Sequence, residues 1–379
     1  MLYTTYYPAP AELRTRPNTM VVHYFAKALR EMGHTVQVVF LSISRLPCIK
    51  ENKFRDILPT EADYVYEGIP VHLFRTQELL PYLNYTHRFQ TVYMNRQLRR
   101  LKKALGWKAD KVFIHFPHVF TGMTEILADN VPVFGDFHNM DIAIAYKHYG
   151  RRVRRWYQRL DYWGYRNRRI YESLRMIEDR TMVPVYSGID RSLLASEDRL
   201  QKKLEKKSNF IKILYAGQLI PLKNVDVLIE AVKCLPFECE LTIIGDGEER
   251  ERLQKIAEDS PRILFKGKLT REETVEQMYK HDVFIMLSSP ETYGLVYLEA
   301  LAQGCITVAS IGEGFDGLIR DGENGFLAQP GSVDAAVNTL MYIYKMDEEQ
   351  RQNMIQKGYL LAASMTEDQT AKQLLDSNQ

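Results

Sequence analysis

Between residues 211 and 310 the chain alternates short apolar runs with amphipathic stretches, a rhythm that few folds accept. "IKILYAG" (211–217) has the continuous apolar character of a strand covered on both faces, and "NVDVLIEAVKCL" after it carries helical spacing. The alternation continues through "CELTIIG" (239–245), "EERERLQKIAED", "RILFKG", "REETVEQMYKH", "VFIMLSS", "GLVYLEALAQ" and "CITVAS", then a Gly-rich loop and a final helical stretch. Strands alternating with helices of this length pair in parallel through right-handed crossovers. The first half is less regular: "VVHYFAKALREMGHTVQVVFLS" reads as a helix, a Gly stop and a strand, with later strands at "KVFIHF" (111–116) and "VPVFGDFH" (131–138). A length of 379 residues exceeds one compact core. The polar stretch 186–210 reads as a linker or surface connection. The expected fold class is α/β, two Rossmann-like domains with parallel sheets facing a central cleft. One spans 1–186 and the other 187–364, with a C-terminal helix over 365–379 that can pack back on the first. Ligands of open parallel sheets sit beyond the carboxyl ends of the strands. That singles out the loops at 134–139, 217–224, 267–270, 288–295 and 310–317.

Composition narrows the setting. No run of 18 apolar residues occurs, and "MLYTTYYPAPAELRTR" lacks a basic-then-apolar signal pattern, so a cytoplasmic protein is expected. Cys48, Cys234, Cys239 and Cys305 show no CxxC spacing and read as structural thiols of a reducing compartment. The net charge of +2 hides an asymmetry: residues 1–200 carry 30 Lys and Arg against 20 Asp and Glu, and residues 201–379 carry 20 against 28. The first half is therefore expected to meet something anionic.

The segment "LSSPETYGLVYLEALAQGC" (287–305) places Glu291 and Glu299 eight positions apart among apolar and small residues. Pro290 fixes a turn, Gly294 permits close backbone approach and Gly304 stops a helix expected to begin near 292–294. Glu291 then precedes the helix and Glu299 lies about two turns inside, roughly 9–12 Å further along the axis. The unpaired N–H groups of the helix start form an anion site between the carboxylates. A row of carboxylate, phosphate site and carboxylate suits a nucleotide sugar. The alternative is a capping Glu291 and a Glu299 exposed on the helix surface.

"SSPETYGLVYLEALAQGCITVAS" resembles the E-x7-E signature of retaining GT-B glycosyltransferases of family 4, and "ILYAGQLIPLKNVDVLIEAV", "LTIIGDGEERERL", "ILFKGKL" and "DGENGFLAQPG" follow in that family's order over most of 209–330. The resemblance implies that Glu291 contacts the donor sugar and Glu299 the ribose. It places the diphosphate on the backbone N–H groups of Tyr293, Gly294 and Leu295, and the base along Gly267 to Leu269. Gly217, Gln218 and Lys223 match the loop that holds the leaving diphosphate, where the family carries an arginine at the position of Gln218. A neutral amide cannot offset phosphate charge or form a bidentate fork. "SIGEGFDGLIRDGENG" (310–325) departs from the family's Gly-Gly and Pro-Glu pairs but keeps Glu313 and Asp316, and reads first as a structural loop. "GDGEER" (245–250) lacks G-x-G-x-x-G spacing and reads as a tight strand-to-helix turn.

In the first half, the loop that is Gly-rich in the family reads "YYPAPAELRTRPNTMVVHYF", with no glycine. Arg14 and Arg16 there either meet an anionic group or are solvated. By resemblance, His138 lies at a strand end beside the reaction centre, with His115 and His118 as weaker candidates. The stretch 146–169 carries nine Lys and Arg against one acidic residue, interleaved with Tyr and Trp, and 88–107 is similarly basic. These suit a membrane surface or, on the plainer reading, helices solvated by arginine and packed by aromatics. No nucleic-acid module is evident. No D-x-D triplet is present, and no cofactor or metal is expected.

The resulting expectation is a retaining transfer of sugar from a nucleotide-diphosphate donor to an acceptor hydroxyl. The acceptor is a saccharide or lipid-linked saccharide in cell-surface polysaccharide synthesis, and the enzyme works in the cytoplasm or peripherally on the inner membrane face. Lys223, Glu291 and His138 would act on the reacting groups. An inactive sugar- or partner-binding subunit and a sugar-nucleotide epimerase remain open beside it.

Overall fold

The computed structural model describes residues 1–10, 13, 20–45, 61–78, 88–106, 108–206 and 210–376. Arg14, Arg16 and Cys48 lie outside the described residues. The chain forms two units, one of Met1–Arg166, Ile170–Val185 and Ala371–Gln379, the other of Asn167–Arg169 and Tyr186–Thr370.

Unit 1 contains strands β1 (Leu2–Thr4), β2 (Val38–Arg45), β3 (Glu61–Tyr66), β4 (Ile69–Glu78), β5 (Val112–His115), β6 (Val133–Phe137), β7 (Tyr162–Tyr165) and β8 (Met182–Pro184). Its helices are α1 (Val21–Glu31), α2 (Arg88–Leu105), α3 (Lys147–Tyr157) and α4 (Arg168–Ile177). The strands form one sheet in the order β3-β4-β2-β1-β5-β6-β7-β8, parallel except for the edge pair β3–β4. That antiparallel hairpin departs from the all-parallel expectation. Its turn, Glu67-Gly68, has positive φ at both residues (45° and 78°), the geometry of a type I′ turn. The two-residue strand period divides the core cleanly. Tyr3, Val39, Leu41, Val112, Ile114 and Val133 point to one face, which α2, α3 and α4 cover with Met94, Leu98, Val153, Trp156, Leu174 and Ile177. Their neighbours Leu2, Val38, Phe40, Phe113 and Phe134 point to the other face, where α1 packs.

Unit 2 contains β9 (Ile211–Ala216), β10 (Cys239–Ile244), β11 (Ile263–Gly267), β12 (Val283–Ile285), β13 (Ile306–Ser310) and β14 (Phe326–Ala328). The helices are α5 (Glu197–Glu205), α6 (Val225–Cys234), α7 (Arg250–Ala257), α8 (Arg271–Lys280), α9 (Leu295–Ala302), α10 (Val333–Lys345) and α11 (Glu348–Ser364). A last helix, α12 (Glu367–Asp376), ends with Leu374 in the α1-side core of unit 1. The six strands are all parallel in the order β11-β10-β9-β12-β13-β14. The order in which strands are added reverses between β9 and β12, so the loops leaving those two strands lie side by side at the switch point, the place where open parallel sheets bind ligands. The stretch expected to be a linker is instead built into unit 2. Ile189 bridges to Thr366, and Lys203 on α5 is buried, donating to the carbonyls of Tyr279 and His281. Burial lowers the Lys203 ammonium from its ordinary value.

Candidate functional site

The loops after β9 and β12 are laced together. Ser289 N–H donates to the Leu222 carbonyl at 2.9 Å, and Asn224 Nδ2 donates to the Leu287 carbonyl at 2.6 Å. Buried tyrosines brace each strand end: Tyr215 Oη donates to Gln218 O and Tyr297 Oη to Met286 O. Burial, with Glu291 nearby, raises both phenols, so they remain donors. Across this lacing the ammonium of Lys223 meets Glu291 Oε2 at 2.6 Å. Ser288 Oγ donates to the same oxygen at 3.0 Å, and the N–H of Thr292 donates to Oε1 at 3.1 Å. Glu291 is thus a partly buried carboxylate with a cation and two neutral donors.

Glu313 holds this loop from the other side. Its carboxylate accepts from Ser289 Oγ and from Glu291 N–H, both at 2.7 Å, and lies 3.7 Å from Arg169. Asn167 Nδ2 donates to Thr292 O, and Tyr293 Oη donates to Ser187 O. Helix α9 begins at Leu295 with Gly294 as its cap, φ 83°. Glu299 therefore lies a little over one turn inside rather than the expected two, because the loop runs further before the helix starts. The first-turn N–H groups of such a helix have no intrahelical acceptor.

Glu299 is not exposed. Its side chain is 14 % accessible, and its Oε1 accepts from Nε and Nη2 of Arg271 at 3.1 and 2.7 Å. Arg271 opens α8, where a basic residue works against the helix dipole. That mismatch was a sequence signal for a carboxylate partner. Gly267, at φ 68°, ends β11, and its carbonyl accepts from Gly245 N–H. Leu269 packs at the edge of the unit 2 core. Gln218 is solvent-exposed, and Gly217 follows β9 directly. "GDGEER" is the tight turn that the sequence suggested: a Cβ at Gly245 would stand 1.8 Å from Gly217 O, and one at Gly247 would stand 2.3 Å from Leu219 O. Gly314 has the same purpose against Tyr293 N, so three glycines let these loops touch backbone to backbone.

His138 follows β6 in unit 1. Phe116, itself in a left-handed conformation, stacks on its ring at 3.8 Å between centroids. Asp141 Oδ2 accepts from His138 N–H, while Oδ1 accepts from His118 N–H and lies 2.7 Å from His118 Nδ1. The charge beside His138 is Asp136, a buried carboxylate taken by Arg166 through Nε and Nη2. His115 Nδ1 lies 2.6 Å and His138 Nε2 3.4 Å from Asp136 Oδ2. Burial alone would raise the Asp136 carboxyl, but Arg166, His138 and His115 hold it well below the ordinary range. Burial lowers the His138 imidazole against the pull of Asp136, favouring the neutral ring. His115, Asp136 and His138 could each offer a metal ligand within 4.8 Å. The Asp136 carboxylate of this group is also ion-paired with Arg166. Sequence reasoning named His138 but not its neighbours Asp136 and Arg166, which meet across 30 residues.

The basic helices resolve differently from their aromatic content. Trp156 Nε1 donates to Pro117 O, Trp163 Nε1 to Tyr157 O, and all three rings are buried. The arginines of α3 are the exposed part. The thiols of Cys234, Cys239 and Cys305 are free, with Cys305 pushed up to about 11 by burial. No helix among the described residues is long and apolar enough to cross a membrane.

Comparison with known proteins follows the same division. Residues 196–361 match the family model "Glycosyl transferases group 1", and residues 19–169 match "Glycosyl transferase 4-like domain". The lipopolysaccharide core biosynthesis glycosyltransferase LpsE of Rhizobium meliloti is 34 % identical over 160 residues, 41 % of this chain and 46 % of that protein. The N-acetyl-alpha-D-glucosaminyl L-malate synthase of Bacillus anthracis is 29 % identical over 177 residues, 45 % and 46 % of the two chains. The chain thus spans about half the length of these relatives. Among solved structures, Anabaena HepE in complex with UDP superposes with a TM-score of 0.70 at 15 % identity, covering 100 % of this chain and 98 % of that one. Sucrose-phosphate synthase from Thermosynechococcus elongatus gives 0.69 at 14 % identity, covering 100 % and 97 %. At these identities the likeness is one of fold. Both domain models and the architecture agree: the chain has the GT-B fold, with a segment matching the glycosyl transferase 4-like domain followed by one matching the glycosyl transferases group 1 model.

Proposed function

We propose that the chain is a retaining glycosyltransferase that moves a sugar from a nucleoside diphosphate sugar to an acceptor hydroxyl. The observation that carries this reading is the order of groups at the unit 2 switch point. Glu291, paired with Lys223, precedes the α9 N-terminus, and Glu299, fixed by Arg271, follows it. In the proposed complex, Glu299 Oε2 accepts from the ribose hydroxyls, the amides of Tyr293, Gly294 and Leu295 hold the diphosphate, and Gly267 to Leu269 line the base. Glu291 accepts from the donor sugar. Lys223 offsets the charge that builds on the leaving phosphate, with Gly217 and Gln218 beside it. A phosphate oxygen of the leaving group takes the acceptor proton as the new glycosidic bond forms on the face the diphosphate leaves, so no enzymic nucleophile is needed. His138, neutral and fixed by Phe116, would hydrogen-bond the donor sugar or orient the acceptor. A lipid-linked saccharide of cell-surface polysaccharide synthesis is the proposed acceptor.

Gln218 favours one second reading, a binding subunit without turnover, because the amide supplies no charge to the diphosphate. Incubation with UDP-, GDP- and ADP-sugars, with and without acceptor, separates the readings. Acceptor-dependent nucleotide release supports transfer. Binding without release supports the subunit, and conversion of the donor without acceptor supports an epimerase.

A further inference from the structure

The carboxyl ends of β5 and β6 bring three metal-binding side chains together on one face of the unit 1 sheet. His115, the last residue of β5, pairs in register with Asp136 on β6. Partners in register point the same way from a sheet, and so does a residue two positions further along a strand. His138, just past β6 and two positions after Asp136, therefore joins them. Phe113 and Phe134, each two residues earlier on its strand, lie in the α1-side core, and Phe25 of α1 sets its ring 6.1 Å from that of His115 between centroids. The strand period that builds this core thus ends in a polar cluster.

The spacing of the three ligand atoms suits an ion. His115 Nδ1 lies 2.6 Å and His138 Nε2 3.4 Å from Asp136 Oδ2, and all three atoms fall within 4.8 Å of one another. A tetrahedral ion with bonds of about 2.1 Å holds its ligand atoms about 3.4 Å apart. The observed spacings bracket that value, so small side-chain rotations close the site. Neither imidazole nitrogen is aligned for a hydrogen bond, although both are shielded from solvent and the His115 side chain is only 5 % accessible. Buried nitrogens left without hydrogen bonds are costly, and an ion on their lone pairs removes that cost. Among the described residues this is the single group of His, Cys, Asp and Glu side chains that converges in this way.

Arg166 donates through Nε to Asp136 Oδ1 as well as to Oδ2, so Oδ2 can turn to an ion while the carboxylate keeps its guanidinium partner. Carboxylates that ligate metals are themselves hydrogen-bonded in this manner. The guanidinium charge opposes a dication, which makes the expected affinity weaker than that of a structural zinc site. Two imidazoles and one carboxylate suit Zn²⁺ and similar transition metals, whereas Mg²⁺ and Ca²⁺ take oxygen ligands. His138, with 13 % of its side chain accessible, is the least covered member and marks the side from which an ion enters.

We propose that His115, Asp136 and His138 bind a divalent transition metal ion of the zinc class, and that the bound ion inhibits the enzyme by pinning the His138 ring. The binding stands on the cluster alone, and the inhibition rests on the part given to His138 in the transfer reading. The test is titration of the full chain with Co²⁺, whose visible absorption intensifies in a four-coordinate site, followed by displacement with Zn²⁺. A single equivalent of Co²⁺, displaced by Zn²⁺ and not by Mg²⁺, is expected. His115→Gln and His138→Gln should each weaken Zn²⁺ binding roughly tenfold or more. An anomalous scattering peak from Zn²⁺ among the three side chains, in crystals of the wild type, locates the ion without any variant. No cobalt absorption, displacement by Mg²⁺, Zn²⁺ affinity unchanged in both variants, or a peak only elsewhere would each overturn the site. Nucleotide release from a sugar donor should fall as Zn²⁺ fills the site and return on chelation. Zn²⁺ bound at these residues with release unaffected would overturn the inhibition and count against the part of His138 in transfer. Failure of the metal to bind, with release intact, would overturn the site and leave the transfer reading standing.

Discussion

Arg271 places its Nε and Nη2 on one oxygen of Glu299, which fixes the orientation of the carboxylate. Removing the carboxylate in Glu299→Ala should weaken donor binding by about 1.5–3 kcal/mol, the usual worth of hydrogen bonds to a charged group. Arg271→Ala should weaken it less, because the carboxylate remains and only its orientation is lost. Calorimetric titration of the donor into both variants checks the ranking, and equal losses would mean that Arg271 contacts the donor itself. Lys223→Ala should act on turnover, lowering kcat by roughly 10²–10³ with little change in donor affinity, as loss of charge stabilisation at a leaving group does. Asp136 makes a separate prediction about pH. Asp136→Asn leaves the buried Arg166 without its counter-charge and should cost about 3–5 kcal/mol at neutral pH. The folded carboxyl lies below its unfolded value of about 3.9, so its contribution is complete above that pH and fades as pH falls through the folded value. Thermal unfolding of both proteins should therefore converge on acidification, and a gap that is constant with pH would contradict the assignment.

At the level of elements, the loops of unit 2 are positioned by backbone contact. Gly245, at φ 137° with Gly217 O where a Cβ would go, tolerates no side chain. Gly245→Ala should cost at least about 3 kcal/mol. Gly312→Ala, with positive φ but open space around it, should cost only about 1 kcal/mol. Denaturant melts of the two variants test this, and similar midpoints would show that the loops reorganise freely. The alternation of β9 to β13 with their helices was legible because a doubly covered parallel strand must be apolar throughout and its helix must be amphipathic. The β3–β4 hairpin was less legible, since its turn is Glu67-Gly68 rather than the Asn-Gly or Asp-Gly pair that marks a type I′ turn. Glu291 and Glu299 were singled out by their spacing, and Lys223 by the family resemblance. The distant residues that meet this segment, Glu313 at Glu291, Arg271 at Glu299 and Asn167 at Thr292, were not, because spacing along the chain says nothing about which distant loop folds against which. The 186–210 stretch misled by its polarity: α5 is charged outside and anchored by one buried lysine.

Across the whole molecule, the sequence divides into a basic first half and an acidic second half, and the two units follow that division with different chemistry. In unit 1, Arg166 is buried on Asp136, whereas the α3 arginines are exposed to solvent. Unit 2 pairs its site carboxylates with single cations, at Glu291 with Lys223 and at Glu299 with Arg271. Such pairing holds a pocket near neutrality before an anionic ligand enters, with the α9 N-terminus as the remaining attraction for phosphate. The central claim is that this pocket binds a nucleoside diphosphate sugar for transfer. Its most direct test is nucleotide release from a panel of UDP-, GDP- and ADP-sugars by the wild-type chain, Lys223→Ala and Glu299→Ala, each with acceptor present. The account predicts release from at least one donor by the wild type, with turnover lost in Lys223→Ala and donor affinity lost in Glu299→Ala. Release that is unchanged in both variants would contradict it.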